Sequence, residues 1–198
     1  MTMSTDRADA VKVLVLVHDG FEETEFIAPV DLLRRAGAQV TVVSMTGDRQ
    51  MKGSHGIVIL SDALWEDVAE AAEVREADCL FLPGGGPNAH SLRDDERVTE
   101  LAAQMFKKGR VVSAICAAPI ALERAGILAG RKVTSYPECL TGSEYEYLTE
   151  PVVEDGNLIT GRGAGCATEF GLKLVEKLFG KDRMEKLAAS IMYPHKAG

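Results

Sequence analysis

Val11-Lys-Val-Leu-Val-Leu-Val17 is followed by His18-Asp-Gly20, by a helical pattern from Glu22 to Ala36, and by Gln39-Val-Thr-Val-Val-Ser44. The first run is apolar and β-branched at nearly every position, which suits a strand covered on both faces, as in a parallel sheet. Between the two runs, Phe26, Ile27, Val30, Leu33 and Ala36 recur at helical spacing. Gly37 stands where a left-handed residue closes a helix, and Arg34 and Arg35 suit the negative end of its dipole. Strand, helix and strand within 44 residues make a β-α-β unit, whose crossover is right-handed in nearly all known cases.

The alternation continues outward from this unit. Strands are expected at Ile57 to Leu60, Asp78 to Leu82, Val111 to Ile115, Val133 to Ser135, Val152 to Glu154 and Leu158 to Thr160. Helices are expected at Leu64 to Ala72, Glu96 to Lys108, Ala118 to Ala125, Phe170 to Phe179 and Asp182 to Ile191. Such alternation implies an α/β three-layer sandwich, a mainly parallel sheet with helices on both faces. No repeat or long linker divides the 198 residues, so one domain is expected over 1–198, with residues 1–10 as a flexible tail.

Composition narrows the function. Hydrophobic residues make up 46% and charged residues 26%, enough apolar material for a core. A net charge of −8 argues against a hold on nucleic acid phosphates. No apolar run approaches the roughly 20 residues needed to cross a bilayer, and the N-terminus lacks the apolar core of an export signal. A cytoplasmic protein with four reduced thiols, Cys79, Cys116, Cys139 and Cys166, is the expectation. The cysteines lack CxxC spacing and the four histidines lack HxxxH pairing, so neither metal nor cofactor is expected.

In open α/β sheets ligands bind beyond the carboxyl ends of the strands, and three strand ends are unusual. The first carries Glu22, Glu23 and Glu25. Acids in a first helical turn ordinarily just complement the dipole, which accounts for Glu22 and Glu23. Glu25 adjoins Phe26, the start of the apolar stripe, and a carboxyl drawn inward has a raised pKa and can shuttle protons. The second is Pro83-Gly-Gly-Gly-Pro-Asn88, neither a Walker loop nor GxGxxG, whose glycines let backbone N–H groups approach a ligand. The third is Val111-Val-Ser-Ala-Ile-Cys116-Ala-Ala-Pro119. A strand running straight into one reactive side chain, then small residues and a helix-opening proline, has the layout of a nucleophile elbow. Near a helix N-terminus a thiol is expected to ionise more readily. Cys79, inside its strand, reads as core; Cys139 and Cys166 carry no signal beyond exposure to oxidants.

Glu25, Pro83-Gly-Gly-Gly86 and Ala114-Ile-Cys-Ala-Ala-Pro119, with Gly161-Arg-Gly163 and Thr168-Glu-Phe170, resemble the ThiJ/PfpI superfamily, closest to the branch that includes the parkinsonism-associated deglycase. The resemblance implies a flavodoxin-like sandwich, a homodimer, and chemistry without a cofactor on small reactive carbonyls such as methylglyoxal. It implies that protonated Glu25 hydrogen-bonds a Cys116 thiolate, and that the N–H groups of Gly85 and Ala117 form an oxyanion hole. The family's protease-like branch has histidine directly after the cysteine; Ala117 stands there, so peptidase chemistry lacks its base. Where the best-known member has histidine before a proline, this chain has Tyr136-Pro137, and a phenol with a pKa of about 10 is a poor base at pH 7. Glu25 then moves the proton alone, or His18 or His55 assists; the family also places the residue matching His55 at the dimer interface. Two further readings use the same thiol: a non-enzymatic oxidative-stress protein with Cys116 as redox sensor, and hydrolysis or hydration of another small electrophile.

Overall fold

The computed structural model describes residues 10–194. The tail expected over residues 1–10 lies outside the described residues, apart from Ala10. The opening unit is present as strand β1 (Lys12–Val17), helix α1 (Glu23–Ala36) and strand β2 (Gln39–Ser44). Gly37 ends α1 with φ of 98°, and its N–H donates to Arg34 O, the close of a helix that a residue with a Cβ resists.

Beyond β2 the chain forms a hairpin, β3 (Gln50–Lys52) with β4 (Val58–Leu60), and then β5 (Ala63–Leu64). Two single-turn helices follow, α2 (Trp65–Val68) and α3 (Ala72–Arg75), where the sequence reads as one helix. Neither carries a side-chain cap, and Ala71 between them is extended. Strand β6 (Cys79–Leu82) leads to α4 (Gly86–Asp94), α5 (Glu96–Lys107), β7 (Val111–Ile115) and α6 (Pro119–Arg124). The last third comprises β8 (Lys132–Val133), β9 (Glu146–Tyr147), β10 (Val152–Asp155), β11 (Leu158–Gly161), α7 (Ala167–Phe179) and α8 (Lys181–Ser190).

Seven strands form one sheet in the order β10-β11-β7-β6-β1-β2-β5, parallel except for β10, which pairs antiparallel with β11 at the edge. This is the flavodoxin-like α/β architecture expected. The β1 register explains its unbroken apolar run. Leu14 and Leu16 join Leu80, Leu82, Val112 and Ala114 in one core layer. Val13, Val15 and Val17 join Phe81, Ile115, Phe26, Leu33 and Phe170 in the layer on the other face. Helix α7 closes on α1 at Gly171, where a Cβ would lie 2.7 Å from Leu32 and 3.0 Å from the Pro29 backbone. The α1 stripe is not wholly buried: Ile27 is exposed, with Ile57, Val58 and Leu60 also open to solvent.

From β1 the chain winds outward through β2 to β5, then returns to the other side of β1 and winds through β6, β7 and β11. The strand order therefore reverses between β1 and β6, which makes their carboxyl ends the place where such sheets open a crevice.

Candidate active site

Three neighbouring strands deliver the site. Cys116 follows β7, Gly84 and Gly85 follow β6, and Glu25 lies in the first turn of the helix after β1. Cys116 leaves the strand with φ of 63°, a left-handed conformation that a non-glycine residue holds only where its surroundings impose it. The imposing contacts are on both sides: Cys116 N donates to Gly161 O at 2.9 Å, and Cys116 O accepts from Tyr136 N at 2.8 Å. The bend turns the sulfur toward the N–H groups of Ala117 and Gly85 and toward the Glu25 carboxyl.

Glu25 is 1% exposed. Its helix begins at Glu22, whose Oε2 accepts from Glu25 N at 2.7 Å, and Phe26 beside it packs into the core, so the carboxyl is drawn inward. Burial raises its pKa to about 7, against opposing pulls from Cys116 and the Gly84 N–H and with further upward pressure from Glu22. Oε2 is buried and makes no well-aligned hydrogen bond. Gly84 is what lets the two groups meet: a Cβ there would overlap Oε2 of Glu25 and lie 2.6 Å from the Cys116 Cβ.

Burial also raises the Cys116 thiol, the Glu25 carboxylate raises it further, and the N–H groups of Ala117 and Gly85 pull it down. The easier ionisation expected from a helix N-terminus is thus overturned. The helix that follows has only six residues and starts three positions later, while a carboxylate sits against the sulfur. The two groups titrate as a pair. With a proton on Glu25 the repulsion disappears, and the carboxylic O–H becomes a donor to thiolate.

A buried amide holds the loops in register. Asn88 Nδ2 donates to Pro83 O at 2.7 Å and to Gly84 O at 3.2 Å, and its Oδ1 accepts from His18 N at 2.7 Å. One side chain thereby ties the end of β1 to the loop after β6. Sequence reading passes over it, because an asparagine after glycines and a proline reads as turn material and α4 itself is masked.

The remaining candidates fall elsewhere. His18 turns to Asp95, Nε2 to Oδ2 3.6 Å, and burial lowers its pKa. His55 is exposed and its Nδ1 lies 2.8 Å from Glu23 Oε2, an interaction that raises its pKa. Tyr136 is 55% exposed at the rim, and its ring lies 3.8 Å from where a Cβ on Gly163 would stand. The four cysteines are unpaired, and burial pushes the Cys79 thiol to about 12. Among the described residues, Glu22, Glu23 and His55 bring three potential metal-ligand atoms within 4.8 Å of one another. Glu23 there already accepts from His55 N at 2.7 Å and Ile57 N at 3.3 Å, so it serves as the anchor of the 54–57 loop.

Cysteine elbow, buried glutamate and glycine loop lie in one order along the chain, and the model of the DJ-1/PfpI family matches residues 11–177. The chain belongs to the DJ-1/PfpI family. Among family members, Protein dj-1beta of Drosophila melanogaster is 38% identical over 182 residues, covering 90% of this chain and 95% of that protein. The crystal structure of Drosophila melanogaster DJ-1beta superposes with a TM-score of 0.88 at 37% identity, covering 94% of this chain and all of that one. A Schizosaccharomyces pombe protein described as glutathione-independent glyoxalase DJ-1 is 31% identical over 191 residues, covering 93% of this chain and all of that protein. No helix among the described residues of this family member is long and apolar enough to cross a membrane.

Proposed function

We propose that this chain is a cofactor-independent, cysteine-dependent enzyme acting on 2-oxoaldehydes such as methylglyoxal. The observation that carries the reading is the convergence of the Cys116 sulfur, the buried Glu25 carboxyl, and the N–H groups of Gly85 and Ala117. The glyoxalase description of the fission yeast relative supports it. Thiolate Cys116 adds to the aldehyde carbon, and the oxygen takes up the charge facing the two N–H groups. Glu25 protonates that oxygen, and its carboxylate then takes the proton from the former aldehyde carbon; the hydroxyl proton passes from the first oxygen to the second, and Glu25 returns its proton to the neighbouring carbon. The adduct becomes a 2-hydroxy thioester with no change in overall oxidation state. Water cleaves it, releasing a 2-hydroxy acid and the free thiol. His18 and His55, held by Asp95 and Glu23, take no part in this scheme. The test is lactate formation from methylglyoxal without glutathione; equal yields from wild type and Cys116→Ala would sink the proposal.

A second reading is favoured by the same carboxyl: a protonated Glu25 can hydrogen-bond an oxidised Cys116, making the thiol a redox sensor. Intact-mass and peptide analysis after mild peroxide tests it, and oxygen uptake spread evenly over all four cysteines would count against it. The exposed apolar residues Ile27, Ile57, Val58 and Leu60, the last 73% exposed, support a second copy of this chain as partner on that face. Sedimentation of wild type and Leu60→Lys, dimer against monomer, is the corresponding check. We further propose a cytoplasmic location, which the four unpaired cysteines support and which fractionation with thiol labelling would test.

A further inference from the structure

A cleft of about 570 Å³ runs along the outer side of the site, walled by Tyr136, Pro137, Pro151, Arg162, Gly163 and Cys166. Its size suits a small organic ligand. Gly163 joins it to the catalytic pair, since a Cβ there would stand 4.0 Å from Glu25 Oε1. Arg162 follows Gly161, whose carbonyl binds Cys116 N, so the guanidinium is rooted one residue from the elbow. Most of the wall is apolar. The exception is Arg162: its Nη1 is buried without a hydrogen-bond partner, and its side chain enters no ion pair among the described residues. Elsewhere in the structure arginines such as Arg34, Arg97, Arg110 and Arg131 are matched to carboxylates. Glu169 also borders the cleft, yet it is exposed and does not pair with Arg162. A half-buried guanidinium with one desolvated, unmatched nitrogen beside an apolar wall is completed by an anion with an apolar body.

We propose that this cleft receives the substituent of the substrate and that Arg162 binds a carboxylate at its far end, so the preferred substrates are carboxylate-bearing 2-oxoaldehydes. The proposal rests on the oxoaldehyde reading above and deepens it. Tyr136, standing where the best-known family member has histidine, acts as the apolar lip over which the chain of the substrate lies, a positioning role rather than that of a base. The covalent steps are unchanged: 4,5-dioxopentanoate plus water gives 2-hydroxypentanedioate, with the proton moved between adjacent carbons and the thiol regenerated.

Two arms test it on the full chain. Turnover compares 4,5-dioxopentanoate with 2-oxopentanal, a neutral 2-oxoaldehyde of the same chain length. A charge-assisted hydrogen bond in a partly desolvated site predicts at least about a tenfold higher kcat/KM for the carboxylate. Arg162→Gln should abolish that ratio, and Arg162→Lys should restore part of it. Binding, measured by calorimetry on Cys116→Ala, compares 4-acetylbenzoate with neutral acetophenone, neither of which needs the thiol. The benzoate should bind more tightly by a similar factor, and Arg162→Gln should erase the difference. Equal binding of the two probes by the unsubstituted Arg162 protein, or a preference that survives Arg162→Gln, would overturn the assignment. Absence of turnover with every oxoaldehyde would instead overturn the activity, and the binding arm reads separately from that failure.

Discussion

Replacing Glu25 by glutamine keeps the shape of the buried side chain and removes its charge at every pH. In the folded protein the carboxyl has a pKa of about 7, raised by burial from an ordinary 4.5. A raised acid favours the folded state below its unfolded pKa, and that advantage is lost as pH climbs from 4.5 through 7. At 1.36 kcal/mol per pH unit, the lost stability grows from about 1 kcal/mol at pH 5 to about 3 kcal/mol at pH 8. Glu25→Gln lacks this penalty. The difference in unfolding free energy, variant minus wild type, should therefore rise by about 2.5 kcal/mol between pH 5 and pH 8. Urea denaturation at four pH values measures it, because titrating groups not coupled to Glu25 cancel in the difference. In a chain of this size that is roughly a 5–10 °C change in relative Tm. A difference that stays flat across the range would refute the assignment of a buried, high-pKa carboxyl, whatever its absolute size.

Gly84→Ala should cost about 2 kcal/mol or more and displace Glu25 from the sulfur, seen as a lower Tm and altered thiol alkylation kinetics, since the new Cβ overlaps Oε2. Asn88→Ala leaves His18 N–H and Pro83 O without their partner, a loss of about 2–4 kcal/mol by chemical denaturation, with faster amide exchange at residue 18. Native-state labelling with iodoacetamide should leave Cys79 unmodified until the protein unfolds, as burial keeps it a thiol. Glu23→Gln should lower stability at neutral pH and make no difference in strong acid: burial pushes this carboxyl up, but hydrogen bonds from His55 and Ile57 outweigh it and bring the pKa to about 2. Its stabilisation is present above pH 4.5 and is lost as pH falls toward 2, so wild-type and variant melting curves should converge in that window.

Much of this architecture is visible in the sequence where one physical demand acts alone. The run Lys12–Val17 must be buried on both faces, and Gly37 must adopt positive φ, so the first β-α-β unit is readable nearly to the residue. Cys116 and Glu25 stand out because a strand ends on one and an apolar stripe begins beside the other. Legibility fails where tertiary contacts override local pattern. Gly86–Asp94 is helical although Gly-Pro-Asn begins it, with buried Asn88 bonded to Pro83 O nearby and to His18 N 70 positions away, a contact that local pattern does not show. Residues 64–72 carry helical periodicity, yet the chain breaks between α2 and α3. Ile27 lies on the stripe by spacing, yet no packed element covers it and it is left exposed. The direction of the Cys116 shift is invisible to spacing, since it depends on a carboxylate 91 positions away in sequence. Arg162 enters the sequence reading only inside Gly161-Arg-Gly163, with no role attached; its missing partner is what draws notice.

The left-handed backbone at Cys116 also decides which substitutions can report on chemistry alone. With φ at 63°, glycine fits without penalty, alanine or serine costs little more than cysteine already does, and asparagine tolerates the geometry. Valine, isoleucine or threonine would crowd the backbone on both sides of Cβ and pull the elbow open. A survey of all residues at position 116 should therefore separate into two groups by abundance of folded protein, divided by branching at Cβ rather than by polarity. Function at this position can be erased by many residues, while the turn that displays it is lost to only a few.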